Sequence, residues 1–122
     1  MPTCERGDIV RVPFPYTDRE VRQHRPALVV SDGPIGNRGT VLWVVMITSA
    51  ENRPWPGDVS LARGFKQAGL PAPSLIRTAK IATIDVGHAE RLGSLGERQM
   101  AEVDTALHRH LGLGPDGRKE RA

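Results

Sequence analysis

The side chains best suited to chemistry in this chain sit at the ends of two apolar runs. His24-Arg25-Pro26-Ala27-Leu28-Val29-Val30-Ser31 opens on an imidazole and a guanidinium, and the run from Thr40 to Ile47 ends in Thr48-Ser49. A guanidinium stays charged and offers a planar fork of donors, and hydroxyls at a neighbouring strand mouth add neutral ones. Together they can hold a phosphate. A strand seats such side chains more firmly than a loop does, and Pro26 biases Arg25 toward an extended backbone. The plainer alternative is a surface arginine at a strand start and a Thr-Ser turn.

The elements that must position these groups are legible from periodicity. Ile9 to Phe14 alternates and is rich in β-branched residues, which predicts a half-buried strand. Pro13 and Pro15 are expected to end it and to forbid a central ladder position. The polar segment from Pro15 to His24 is expected to be a mobile loop. Ala27 to Val30 and Val41 to Ile47 are short, Val-rich runs that suit core strands better than helices, with turn chemistry from Asp32 to Gly39 between them. Trp43, inside the second run, is expected in the core. Asp58 to Leu61 reads as a short strand, Ala62 to Pro73 as a loop with one helical turn at most, Leu75 to Ile84 as one long bent strand or two short ones, and Glu90 to Leu95 as a last short strand. The C-terminal segment is the clearest helix. Ser94 and Glu97 fit a capping box, Met100, Val103, Leu107 and Leu111 form an apolar stripe, and Gly112 supplies the stop.

Length and composition narrow the function classes. The 122 residues support one domain with a real core and no separate catalytic domain. The longest apolar run is far too short to span a bilayer, and the N-terminus lacks the apolar stretch of a secretory signal. No membrane partner and a cytoplasmic location are therefore expected. Cys4 is the single cysteine, so neither an internal disulfide nor a Cys-based zinc site is available. It lies in an expected floppy terminus. The net charge of +3 is modest, but residues 59–84 carry Arg63, Lys66, Arg77 and Lys80 and no carboxylate, a local excess suited to a phosphate backbone. His108 and His110 do not share a helix face as metal ligands would, His88 is isolated, and neither metal nor cofactor is expected. Trp55, between Pro54 and Pro56, is expected to be rigid and partly exposed, able to stack on an unpaired base or to anchor a protein contact. Residues 1–113 form the expected domain, and 114–122 a charged, disordered tail.

Gly7-Asp8-Ile9-Val10-Arg11-Val12-Pro13-Phe14, then His24 to Ser31, then Lys80-Ile81-Ala82-Thr83-Ile84-Asp85, Gly93-Ser94-Leu95, Ala106-Leu107 and Leu111-Gly112-Leu113 follow one another in an order that resembles the PemK/MazF family of type II toxin–antitoxin toxins. The resemblance covers residues 6–113. It implies a small SH3-like antiparallel β-barrel with a C-terminal α-helix, mainly β with some α. The implied activity is metal-independent, sequence-specific cleavage of single-stranded RNA, including mRNA, leaving 2′,3′-cyclic phosphate and 5′-hydroxyl ends. RNA supplies its own 2′-hydroxyl nucleophile, so positioning and electrostatics can carry such a reaction. The resemblance matches Arg25 and Thr48 to the family's arginine and strand-end threonine. His24 is the titrating group beside Arg25, although its side chain would point the other way in a regular strand. Glu20 stands where the family often has an acidic residue and could orient Arg25 or act as a base. Ser49, Arg77, Lys80 and Trp55 are the expected RNA-binding residues. The implied partners are RNA, a second copy of the chain as homodimer, a cognate antitoxin with an acidic tail, and operator DNA only as the toxin–antitoxin complex.

Two other functions are compatible with the same fold. One is a non-enzymatic, gyrase-binding toxin of the CcdB kind, whose contacts would lie at the end of the terminal helix. The other is an SH3-like binding module without activity. The Arg25 and Thr48 positions favour the nuclease over both.

Overall fold

The structure is a computed structural model that describes residues 4–15 and 22–114. Glu20 and the tail beyond 114 lie outside the described residues. Six antiparallel strands, β1 (Asp8–Pro15), β2 (Arg22–Val29), β3 (Val41–Ser49), β4 (Val59–Leu61), β5 (Ser74–Asp85) and β6 (Glu90–Ser94), form one curled sheet in the order β4-β5-β3-β2-β1-β6. Helix α1 (Glu97–His110) follows.

Both faces of β2 and β3 are buried over most of their apolar residues, which explains their near-continuous apolar runs. Ile9, Leu28, Val45, Ile47 and Ile76 pack in one cluster with Val103 of α1. Their neighbours Val10, Ala27, Val29, Val44 and Met46 pack in the other, with Phe14 and Ile84. Successive residues thus alternate between the two cores, as strand geometry demands.

The segment from Ala62 to Pro73 contributes more than a loop. Ala68 and Leu70 enter the first core. A Cβ on Gly93 of β6 would run into the backbone carbonyl of Ala68, and one on Gly69 into the carbonyl of Leu92. Glycine at both positions lets two backbones touch.

Several expectations are corrected. Pro13 does not end β1, which runs on to Pro15; the two prolines pair with His24 and Arg22 in the β1–β2 ladder. The pairing of β1 with β6 stops at Arg11, so beyond it that edge of β1 needs no N–H. The span expected as a loop up to His24 is strand from Arg22 onward. Leu75 to Ile84 is the first of the two expected forms, one long strand with a register shift: Val45 faces Ile81, but Met46 faces Arg77, so Thr78-Ala79-Lys80 is extra chain on β5 and bends it. Ser94 caps nothing; it pairs with Asp8, and the N-cap of α1 is Gly96 with no side-chain bond. The helix stop is as expected. Gly112 (φ +73) donates its N–H to the Arg109 carbonyl, and Leu113 donates to that of His108, the paired bonds of a Schellman turn. Leu111 leaves the stripe and stands 70% exposed.

Cys4 is buried against the second core rather than floppy. Burial, then the carboxylate of Asp8, pushes its thiol pKa up from 9.0. The folded protein therefore keeps the proton longer than the unfolded chain does, and this contribution to stability is lost as pH rises past the unfolded value. Alkylation of Cys4 by iodoacetamide at pH 8.5 should be much slower in native buffer than in urea, and Cys4→Ala should lessen the decline of the urea midpoint above pH 9; equal alkylation rates would contradict the buried placement.

Gly93→Ala should lower unfolding free energy by about 1–3 kcal/mol through overpacking. Gly7→Ala, where φ is +92 but nothing lies within 4 Å of the added carbon, should cost only about 1 kcal/mol of backbone strain. Urea titrations of both variants check the ranking.

Candidate nucleic-acid interface on the β2–β3–β5 face

Pairing of β2 with β3 sets Ala27 opposite Met46, Leu28 opposite Val45 and Val29 opposite Val44. The β2–β3 pairing ends there; continued two residues further, the same register would set Arg25 opposite Thr48. Both lie an even number of residues from Ala27 and Met46, so alternation gives them one face of the sheet. Arg25 is half-buried and held on its other flank by pairing with Val12. Thr48 is buried, and its hydroxyl accepts a 2.6 Å hydrogen bond from Asn52 Nδ2. His24 is exposed and pairs with Pro13, one residue out of phase with Arg25. Ser49 is exposed, in phase with Ile47 rather than Thr48, and its Oγ accepts from the backbone N–H of Glu51 at 3.2 Å.

Across β3, Thr48 faces Leu75 and Met46 faces Arg77. Arg77 therefore shares the face of Arg25 and Thr48, opposite to Ile76 in the first core. Its guanidinium is enclosed, with only 8% of the side chain exposed. It donates to Asp58 at 3.1 Å and to the Arg53 carbonyl at 2.8 Å, and its plane lies 4.3 Å from the Trp55 ring centre. Asp58 in turn accepts from the Trp55 backbone N–H at 2.8 Å. The arginine expected to grip RNA is thus spent inward. It clamps the 53–58 loop on the sheet and backs Trp55, whose side chain remains 44% exposed. The carboxylate that neutralises it sits one residue outside the acid-free 59–84 window, so the basic excess of that window is smaller in three dimensions than in the sequence. Lys80 is half-buried on the bend of β5.

The same loop is tied to the helix end. Thr78 donates its hydroxyl hydrogen to the Gly57 carbonyl at 2.7 Å, and His110 Nε2 lies 2.9 Å from that hydroxyl. With the threonine hydrogen spent, His110 must donate, which assigns the proton to Nε2.

Trp43 is corrected from core to surface: it is 50% exposed, in phase with the buried Val45 but beyond its cover. With Ile81 (52% exposed), Leu107 and Leu111 it lines an apolar groove of about 590 Å³, closed at one side by the Arg6–Asp104 ion pair. Sequence reasoning missed Asn52 and Asp58 as partners of site residues. Asn52, four residues after Thr48 in a turn, carried a readable signal, since such side chains bond back to nearby groups. Asp58 carried none, because 19 residues separate it from Arg77. Among the described residues no three His, Cys, Asp or Glu side chains come together as a metal site requires. No helix among them is long and apolar enough to cross a membrane.

A family model for PemK-like, MazF-like toxins of type II toxin–antitoxin systems matches residues 5–111. No curated protein matches the sequence. Among solved structures, MazF from Deinococcus radiodurans is similar with a TM-score of 0.75 at 22% identity, over 93% of this chain and 100% of that one. An endoribonuclease in complex with its cognate antitoxin, from a mycobacterial species, has a TM-score of 0.68 at 23% identity, over 93% and 98%. The Mycobacterium tuberculosis toxin MazF-mt6 has a TM-score of 0.66 at 20% identity, over 88% and 98%.

Asp58→Ala should strand the buried Arg77 charge and destabilise the fold by about 3–5 kcal/mol. In a Trp43→Phe background the Trp55 emission should also shift to the red as the loop loosens. Unchanged stability and emission would contradict the clamp.

Proposed function

The chain belongs to the PemK-like, MazF-like toxins of type II toxin–antitoxin systems, and we propose that it is an endoribonuclease that cuts single-stranded RNA without a metal ion. What supports this reading is strand alternation from the paired Ala27 and Met46, which gives Arg25 and Thr48 one face of the sheet, where the same register continued two residues would set them opposite each other. A phosphate lying across β2 and β3 meets a permanent cation from one strand and a hydroxyl donor from the next. In the reaction the ribose 2′-oxygen attacks the adjacent phosphorus, and the P–O5′ bond breaks. The 2′-proton leaves to a base, and the 5′-oxygen takes up a proton, giving a 2′,3′-cyclic phosphate and a 5′-hydroxyl. Arg25 stabilises the charge that builds on the non-bridging oxygens, and Thr48 adds a neutral hydrogen bond to one of them. His24 is exposed next to Arg25 and is a candidate proton carrier at its margin; Glu20 is a second.

Substrate binding follows from the same face. Trp55 presents a half-exposed ring backed by Arg77, a platform for one unpaired base. Lys80, on the bend of β5, adds a donor, whereas Ser49 lies on the other face of β3 from Thr48 and would meet RNA only beyond the strand end. Arg77 acts here through the loop it holds and not by contact with RNA.

The mycobacterial endoribonuclease was solved with its cognate antitoxin, and the same kind of partner, carrying an acidic segment, is the one we propose for this chain. Operator DNA would be met only by that toxin–antitoxin complex. The groove beside Trp43, Ile81 and Leu111 presents exposed apolar side chains. The family resemblance implies a homodimer, and this groove is a candidate surface for the second copy. Exposed Leu111 at the helix end also fits the gyrase-binding alternative, which predicts no RNA cleavage at all.

Purified protein incubated with a mixed single-stranded transcript in excess chelator should yield fragments with 5′-hydroxyl ends. Arg25→Ala should reduce the rate about a thousandfold or more, and Thr48→Ala about ten- to a hundredfold, because a charge-assisted bond is lost in the first and a neutral one in the second. Cutting that requires added metal, or survives Arg25→Ala in a folded protein, would overturn the mechanism.

A further inference from the structure

A threonine hydroxyl has one hydrogen to give and rotates freely unless something holds it. At Thr48 the holder is Asn52. The turn after β3 is fixed by backbone bonds from Asn52 N to the Ser49 carbonyl (3.1 Å) and from Ala50 N to the Pro73 carbonyl (3.1 Å), which anchors it to the start of β5. That turn brings the exposed Asn52 amide back over the buried Thr48 side chain, where Nδ2 donates to Oγ1 at 2.6 Å. An exposed amide could be served by water alone, so a short bond to an enclosed hydroxyl restricts both groups.

We propose that Asn52 is a positioning residue for RNA cleavage: its N–H fills a lone pair of Thr48 Oγ1 and leaves the hydroxyl hydrogen directed at the scissile phosphate. The inference rests on the endoribonuclease reading and deepens it. Asn52 exchanges no proton and touches no reacting atom. It removes the rotor states in which the Thr48 hydrogen points away from the phosphate, so that this donor is oriented before the substrate arrives. The bond also sets a chemical requirement. A side chain that only accepts at this position would claim the Thr48 hydrogen and leave the phosphate facing lone pairs.

The test is a double-mutant cycle with Asn52→Ala, Thr48→Ala and the double variant, each shown folded by circular dichroism and urea midpoint. The substrate is a short RNA oligonucleotide spanning a site mapped on a mixed single-stranded transcript, in excess chelator. Asn52→Ala should lower kcat about tenfold with KM within about twofold, the value of one oriented neutral hydrogen bond. In the Thr48→Ala background the same change should move kcat less than about twofold. Asn52→Asp should be slower than Asn52→Ala at pH 7.5, and the ratio of the two should recover as pH falls and the carboxyl becomes a donor. Equal losses from Asn52→Ala in both backgrounds, or an Asn52→Asp variant as active as wild type, would overturn the positioning role while leaving the nuclease intact. A wild-type protein that cuts no RNA would overturn the nuclease reading and this inference with it.

Discussion

Pairing of β2 with β3 decides where every polar group of interest points. The side-chain period of a strand is two, so a slip of one residue would turn Arg25 or Thr48 to the other face of the sheet. The slip is opposed from both sides. Leu28 and Val45 are enclosed in one core, Ala27, Val29, Val44 and Met46 in the other. Moving either strand by one position would exchange these sets, and their shapes do not match. Two hydrophobic cores thus hold in place a cation and a hydroxyl that take no part in either.

The second dependency is that β3 and β5 do not run in one register. The extra residues Thr78-Ala79-Lys80 bend β5 between two straight ladders. The bend lets the half of β5 that follows the loop carry Arg77 beside Met46 and fold the 53–58 segment onto the site face. It also brings Thr78 to Gly57 and His110, so the loop, the bend and the end of α1 share one chain of hydrogen bonds. A Cβ on Gly57 would lie 2.9 Å from the His110 ring and 3.1 Å from Thr78 Oγ1, which shows how little room that junction has. The face proposed to meet RNA is therefore braced by residues that face inward.

Much of this was readable from the residues. The strands stood out because both of their faces are buried and their sequences are correspondingly apolar, and Arg25 and Thr48 stood out as the polar ends of those runs. What misled were features whose cause is not local. Arg77 reads as a free cation until Asp58 folds against it. Pro13 reads as a strand breaker because a sequence does not say which edge of β1 lacks a partner. Ser94 and Glu97 fit a capping box in spacing, but pairing with Asp8 claims Ser94 for β6. Trp43 and Leu111 share the periodicity of buried neighbours and differ only in what the rest of the chain fails to lay over them.

The central claim is that one phosphodiester is gripped by β2 and β3 together. A crystal structure with a short RNA whose 2′-hydroxyl is methylated at the cleavage position examines it directly. The scissile phosphate should lie between the Arg25 guanidinium and Thr48 Oγ1, with both at about 3 Å, hydrogen-bond distance. A phosphate bound elsewhere on the chain, with Arg25 and Thr48 both out of reach of it, would contradict the account.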